Sequence, residues 1–133
     1  MRVFLDTSVL VAAFATRGLC ADVLRTVLAE HQLIVGETVL TELARVLGQK
    51  IGTPEMQVRD VVGFVRQHAL VAAEAPLPAV DVRDATDLPI LAAALLGAAE
   101  VLVTGDKDLL VLRRVDTLPI LDPRAFWELA KRS

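Results

Sequence analysis

The chain is 133 residues long, the length of one domain with one core. Apolar residues make up 54% of it and charged residues 23%, which excludes an intrinsically disordered chain. A formal net charge of −3 excludes a generic basic protein that coats nucleic acid, while leaving room for a local basic patch.

Arg2-Val3-Phe4-Leu5 reads as a short buried strand that ends at Asp6. Thr7 or Ser8 can cap a helix through Val9–Phe14, and Gly18 breaks that pattern. Ala21–Glu30 carries Val23, Leu24, Val27 and Leu28 at helical spacing, and Leu33-Ile34-Val35 is a second strand. A helix follows over Thr38–Leu47, with Val39, Leu40, Leu43, Val46 and Leu47 on one face. Gly48 and Gly52 punctuate the middle, Pro54 opens an amphipathic helix over Met56–His68, and Leu70-Val71-Ala72 reads as a strand. Pro76 and Pro78 mark a loop, with a weak strand candidate at Val80-Asp81-Val82. Thr86–Leu96 is a helix apolar nearly all round, hence buried. The strand Val101-Leu102-Val103, a short helix over Asp108–Leu112, the strand Leu118–Leu121 and a helix from Pro123 through Leu129 complete the chain.

Short all-apolar strands alternating with helices predict an α/β fold: three layers, α/β/α, around a short, mostly parallel sheet in a single domain over residues 1–133. The single cysteine, Cys20, can form neither an internal disulfide nor a cysteine metal cluster, which fits a reducing compartment. Asp6 interrupts the first apolar run, so no signal peptide is expected. The mostly apolar stretch Leu88–Ala99 falls short of the roughly 20 residues that span a bilayer. The expectation is a soluble, cytoplasmic protein with no membrane partner.

Ligands in parallel α/β folds sit beyond the carboxyl ends of the strands, and here Asp6 and Asp106 lie just past two of them. Glu42 falls at the border of its helix's apolar stripe, near Val39 and Val46. Asp87 shares a face with Leu91 and Ala94 and should point toward the sheet. Each acid taken alone has an ordinary reading: Asp6 and Asp106 as helix caps, Glu42 as a helix-surface residue, Asp87 as a charge favouring a helix N-terminus. Taken jointly, four acids at one edge of a small sheet define a cleft whose mutual repulsion a divalent cation would relieve. Oxygen ligands suit Mg²⁺ or Mn²⁺, and two such ions about 4 Å apart can activate a water and stabilise the leaving oxygen of a phosphodiester. Asp84 and Asp108 are further candidate ligands, against turn and helix-capping roles; Ser8 and Thr104 can orient waters, or serve as caps. His31 and His68 lie in other segments and make no convincing base pair.

Four segments occur in order: Arg2-Val3-Phe4-Leu5-Asp6-Thr7-Ser8-Val9-Leu10, Leu40-Thr41-Glu42-Leu43, Arg83-Asp84-Ala85-Thr86-Asp87 leading into Leu91–Leu95, and Val103-Thr104-Gly105-Asp106-Lys107-Asp108-Leu109-Leu110. Together they resemble the PIN-domain ribonucleases, in particular the toxins of bacterial toxin–antitoxin pairs related to VapC. The resemblance covers essentially the whole chain, and Val103–Leu110 is its most specific part. It implies a parallel sheet flanked by helices, metal-dependent RNA cleavage, a cognate antitoxin that covers the acidic cleft, and acidic site positions at Asp6, Glu42, Asp87 and Asp106. Ser8 stands where many relatives have Asn, Gly36 where many have Ser, and Ala85-Thr86 where many have Pro-Asp. No principal acid is lost, so the resemblance implies an active domain.

Rival phosphoryl-transfer folds fit worse. Position 8 is Ser, so the Asp-x-Asp start of a haloacid-dehalogenase phosphatase is missing, as are a P-loop and any GxGxxG after a strand. Two other functions stay open at this stage: a non-catalytic binding module, and a nuclease for single-stranded DNA. Arg17, Lys50, Lys107, Arg113 and Arg114 are candidate phosphate contacts, each equally a solvated charge. With one Trp, four Phe and no Tyr, platforms for stacking bases are scarce. The mean hydropathy of +0.53 fits an apolar surface for an antitoxin or a homodimer, and equally a dense core.

Overall fold

A computed structural model of the protein describes residues 1–73 and 87–132. The expected loop at Pro76 and Pro78, the strand candidate Val80–Val82 and the candidate ligand Asp84 lie outside the described residues. In chain order the elements are β1 (Arg2–Leu5), α1 (Thr7–Ala15), α2 (Leu19–Glu30), β2 (Gln32–Gly36), α3 (Glu37–Arg45), a π-helical segment (Val46–Ile51), α4 (Glu55–His68), β3 (Ala69–Ala72), α5 (Leu88–Leu96), β4 (Val101–Val103), α6 (Lys107–Leu110), β5 (Arg114–Val115), β6 (Leu118–Leu121) and α7 (Pro123–Lys131).

The strands form one sheet in the order β3-β2-β1-β4-β6-β5. All pairings are parallel except β5 with β6. Val3, Phe4 and Leu5 are each fully buried, as are Ile34, Val35, Leu102 and Val103. Consecutive buried residues mean that both faces of the sheet are covered, which is the α/β/α layering that unbroken apolar strands predict.

Two short contacts hold α5 against β2. A Cβ on Gly36 would stand 2.6 Å from the Cβ of Ala93, and one on Gly97 would stand 2.6 Å from Cγ2 of Ile34. Both glycines are therefore packing residues. A side chain at position 36, such as the Ser of many relatives, needs more room than this helix leaves.

Three elements depart from the sequence reading. The helix after β2 does not stop near Leu47 but continues as a π-helical turn to Ile51, ending at Gly52 with φ of 78°. The short helix after β4 starts one residue earlier, at Lys107, because Asp106 caps it. A two-residue strand, β5, precedes β6, joined by a turn in which Asp116 has φ of 52°. Among the described residues no single helix is long and apolar enough to cross a membrane.

Candidate active site

The sheet order reverses direction at β1, with β2 on one side and β4 on the other. Such a switch point leaves a crevice beyond the carboxyl ends of the strands. Asp6 and Asp106 lie there. The backbone N–H of Asp6 donates to the Val103 carbonyl at 3.0 Å, which fixes the two strand ends together.

Asp6 is only 4% exposed. Its Oδ1 accepts from the backbone N–H of Thr7 at 2.7 Å, and its Oδ2 accepts from the Thr104 hydroxyl at 2.7 Å. Thr104, fully buried, also accepts from the backbone N–H of Asp106 at 3.0 Å. One hydroxyl thus bridges the carboxylate after β1 to the loop after β4. Ser8 adds a parallel tie, its Oγ accepting from the Gly105 N–H at 3.1 Å. The capping roles and the site geometry are therefore the same contacts: Asp6 caps α1 and Asp106 caps α6, the latter accepting from the Asp108 N–H at 2.8 Å.

Burial holds the Asp6 carboxyl above its ordinary value, and the negative charge of Asp106 adds to that; the bonds from Thr104 and Thr7 oppose it. Glu42 is shifted the other way. Arg45, one turn further along α3, grips it with Nε at 3.2 Å from Oε1 and its terminal nitrogen at 2.8 Å from Oε2. That ion pair, and the more distant Lys50, hold Glu42 below the usual carboxylate range.

Asp6, Glu42, Asp87 and Asp106 all line one cleft of about 370 Å³, so the four principal acids read from the sequence meet in space. Asp87 is 4% exposed at the start of α5, turned inward as its helical spacing predicts. Asp87, Asp106 and Asp108 can each offer one carboxylate oxygen such that all three atoms lie within 4.8 Å of one another. An octahedral Mg²⁺ at about 2.1 Å from each ligand sets opposite oxygens about 4.2 Å apart, so small side-chain rotations suffice and the all-oxygen donor set fits a hard divalent cation. Asp6 and Glu42 stand outside that closest trio while lining the same cleft.

The basic candidates lie elsewhere. Arg17 is exposed in the α1–α2 connection, Lys50 in the π-helical segment, Lys107 at the start of α6, and Arg113 and Arg114 at β5. None of them lines the cleft. Thr7, Thr38 and Ile90 do line it and were not singled out from sequence as site residues. Thr38 was findable, since it lies four residues before Glu42 and so on the same helical face; Ile90 bears the same relation, three residues on, to Asp87.

A parallel α/β sheet with an acidic cleft at its switch point defines a class of site suited to cation-assisted phosphate chemistry. The family model for the PIN domain matches residues 2–108, and the chain belongs to that family. Its fold is similar to that of VapBC2 from Rickettsia felis, solved bound to a DNA fragment from its promoter, with a TM-score of 0.63 and 16% identity over 92% of this chain and 98% of that one. It is also similar to PAE2754 from Pyrobaculum aerophilum, with a TM-score of 0.69 and 18% identity over 100% of this chain and 91% of that one. The PIN domain of human SMG5 matches with a TM-score of 0.53 and 12% identity over 97% of this chain and 98% of the other. Among curated proteins, none matches the sequence significantly.

Proposed function

We propose that this protein is a Mg²⁺- or Mn²⁺-dependent endoribonuclease and the toxin of a toxin–antitoxin pair. The observation that carries the reading is the convergence of Asp6, Glu42, Asp87 and Asp106, from four separate elements, on one cleft. PIN domains are typically nucleases, and an acid cluster with two of its carboxylates, Asp6 and Asp87, buried has a charge repulsion that bound cations or a basic partner would relieve.

Asp87, Asp106 and Asp108 form the ligand trio, and Asp6 and Glu42 complete the acidic wall. When bound, divalent cations supply activation of water and charge neutralisation for in-line attack at phosphorus, leaving 3′-hydroxyl and 5′-phosphate ends. Thr104 fixes Asp6 and the Asp106 loop to each other, so two carboxylates from opposite ends of the sequence hold one spacing. Ile90 contributes an apolar side chain to the cleft lining.

The likeness to VapBC2, solved bound to a DNA fragment from its promoter, supports an antitoxin partner here. The exposed apolar side chains of Ile51, Met56 and Phe64 suit such a partner or a second copy of the chain. The reading places the protein in the cytoplasm, with its RNA substrate.

The test is incubation of purified protein with mixed-sequence RNA, and with single-stranded DNA of the same sequence, in Mn²⁺, Mg²⁺ or EDTA, alongside Asp6→Asn. Metal-dependent cleavage of RNA alone, lost in the variant, is the expected result. Stoichiometric RNA association without turnover would replace the nuclease by a binding module, and preferential DNA cleavage would change the substrate class.

A further inference from the structure

Resting on the nuclease reading, we propose that Arg45 is a backbone-phosphate contact for the strand entering the acidic cleft, held at the cleft rim by Glu42. A polyanion approaching a wall of carboxylates needs a fixed cation at the mouth, and among the described residues none that lines the cleft is basic. Among the described residues, Arg45 is the arginine with a direct ion pair to a lining residue.

The geometry favours this role over that of a simple helix-surface pair. Of the five N–H donors on a guanidinium, two go to Glu42, so three have no partner among the described residues. The side chain is 41% exposed, so those donors face an approachable surface. Gripping Glu42 through Nε and one terminal nitrogen fixes the plane of the fork, which removes much of the rotamer freedom that a phosphate would otherwise have to freeze. The π-helical turn that follows α3 carries a second cation, Lys50, on the continuation of the same helix. Arg59 provides a built-in comparison: it pairs with Glu55 on α4 through one terminal nitrogen, and neither of those residues lines the cleft.

The test measures binding of a labelled, mixed-sequence single-stranded RNA by fluorescence anisotropy. Ca²⁺ replaces Mg²⁺, and salt is varied, for wild type, Arg45→Ala, Arg45→Lys and Arg59→Ala. Arg45→Ala is expected to weaken binding on the order of fivefold and to flatten the slope of log K against log salt by about 0.7, one phosphate contact on a single strand. Arg45→Lys keeps the slope but regains only part of the affinity, because the fork is lost. Arg59→Ala changes neither quantity. In parallel, the rise in Tm on adding Mn²⁺ stays at least as large in Arg45→Ala as in wild type, which separates loss of a phosphate contact from collapse of the acid cluster. Wild-type affinity and slope in Arg45→Ala, an equal loss in Arg59→Ala, or absence of RNA binding by the wild type would each overturn the assignment. Arg45-dependent binding without any cleavage in Mg²⁺ or Mn²⁺ would sink the nuclease reading while leaving the contact in place.

Discussion

At the scale of single residues, Asp6 joins a stabilising cap to a destabilising charge. Its folded pKa lies above the ordinary 3.8, so the folded chain holds that proton more tightly than the unfolded chain does. The favourable contribution is fully present below the unfolded value and is lost as pH rises from 3.8 through the folded value. In EDTA, the Tm of Asp6→Asn relative to wild type should therefore climb as pH rises from about 4 and then level off. Adding Mn²⁺ near neutral pH should raise both proteins, the wild type more, because the trio Asp87, Asp106 and Asp108 is intact in the variant while one charge of the acidic wall is gone. A Tm difference that does not vary with pH would show that the Asp6 charge is not penalised in the fold.

Thr104 invites a second substitution at the same scale. Thr104→Val keeps the shape but strips a buried donor from Asp6 and an acceptor from the Asp106 N–H. A loss of about 1–3 kcal/mol is expected in urea denaturation, while Thr104→Ser stays within about 1 kcal/mol. Thr104→Val should also cut cleavage more than its residual stability explains, because the spacing of Asp6 and Asp106 depends on that hydroxyl.

At the scale of elements, the sequence was most legible where periodicity and burial agree. The strands around Phe4, Ile34 and Leu102 are unbroken apolar runs, and the spacing of Asp87, Leu91 and Ala94 puts that acid on an inward face. Legibility failed where local chemistry was overridden or unmarked. Gly48 reads as a helix stop, yet the chain continues through it in π-helical form, a transition that no residue type announces. The strand β5 is two residues long, too short for alternation to register. Nothing in the sequence singles out Arg45, and only the fold shows that the residue it grips, Glu42, lines the cleft.

The contact between β2 and α5 gives a prediction at this scale. Gly36→Ala should destabilise the fold by about 1–3 kcal/mol through overpacking against Ala93. Ala93→Gly alone should cost about 1 kcal/mol of helix propensity. The double variant should be more stable than the sum of the two losses, a coupling that a double-mutant cycle in denaturant would read. Simple additivity would mean that the backbone moves apart without strain.

For the whole molecule, a cation that binds only the assembled cleft stabilises the fold by mass action. At a hundredfold excess over its dissociation constant the gain is about 2.7 kcal/mol. For a chain of this size that corresponds to a rise in Tm on the order of 10 °C, reversed by EDTA. Mg²⁺ or Mn²⁺ without effect on Tm at millimolar concentrations would argue against the ligand trio.

The tie between Asp6 and Val103, reinforced by Thr104, joins residues almost a hundred positions apart, Asp6 and Thr104 being separated by 98. During synthesis the ribosome releases Asp6, Glu42 and Asp87 well before Asp106, and β1 keeps an open edge until β4 emerges. A nascent or prematurely terminated chain consequently carries most of the acids but no assembled cleft. The acidic cleft is therefore a late product of synthesis, complete only once β4 and Asp106 have joined the residues made first.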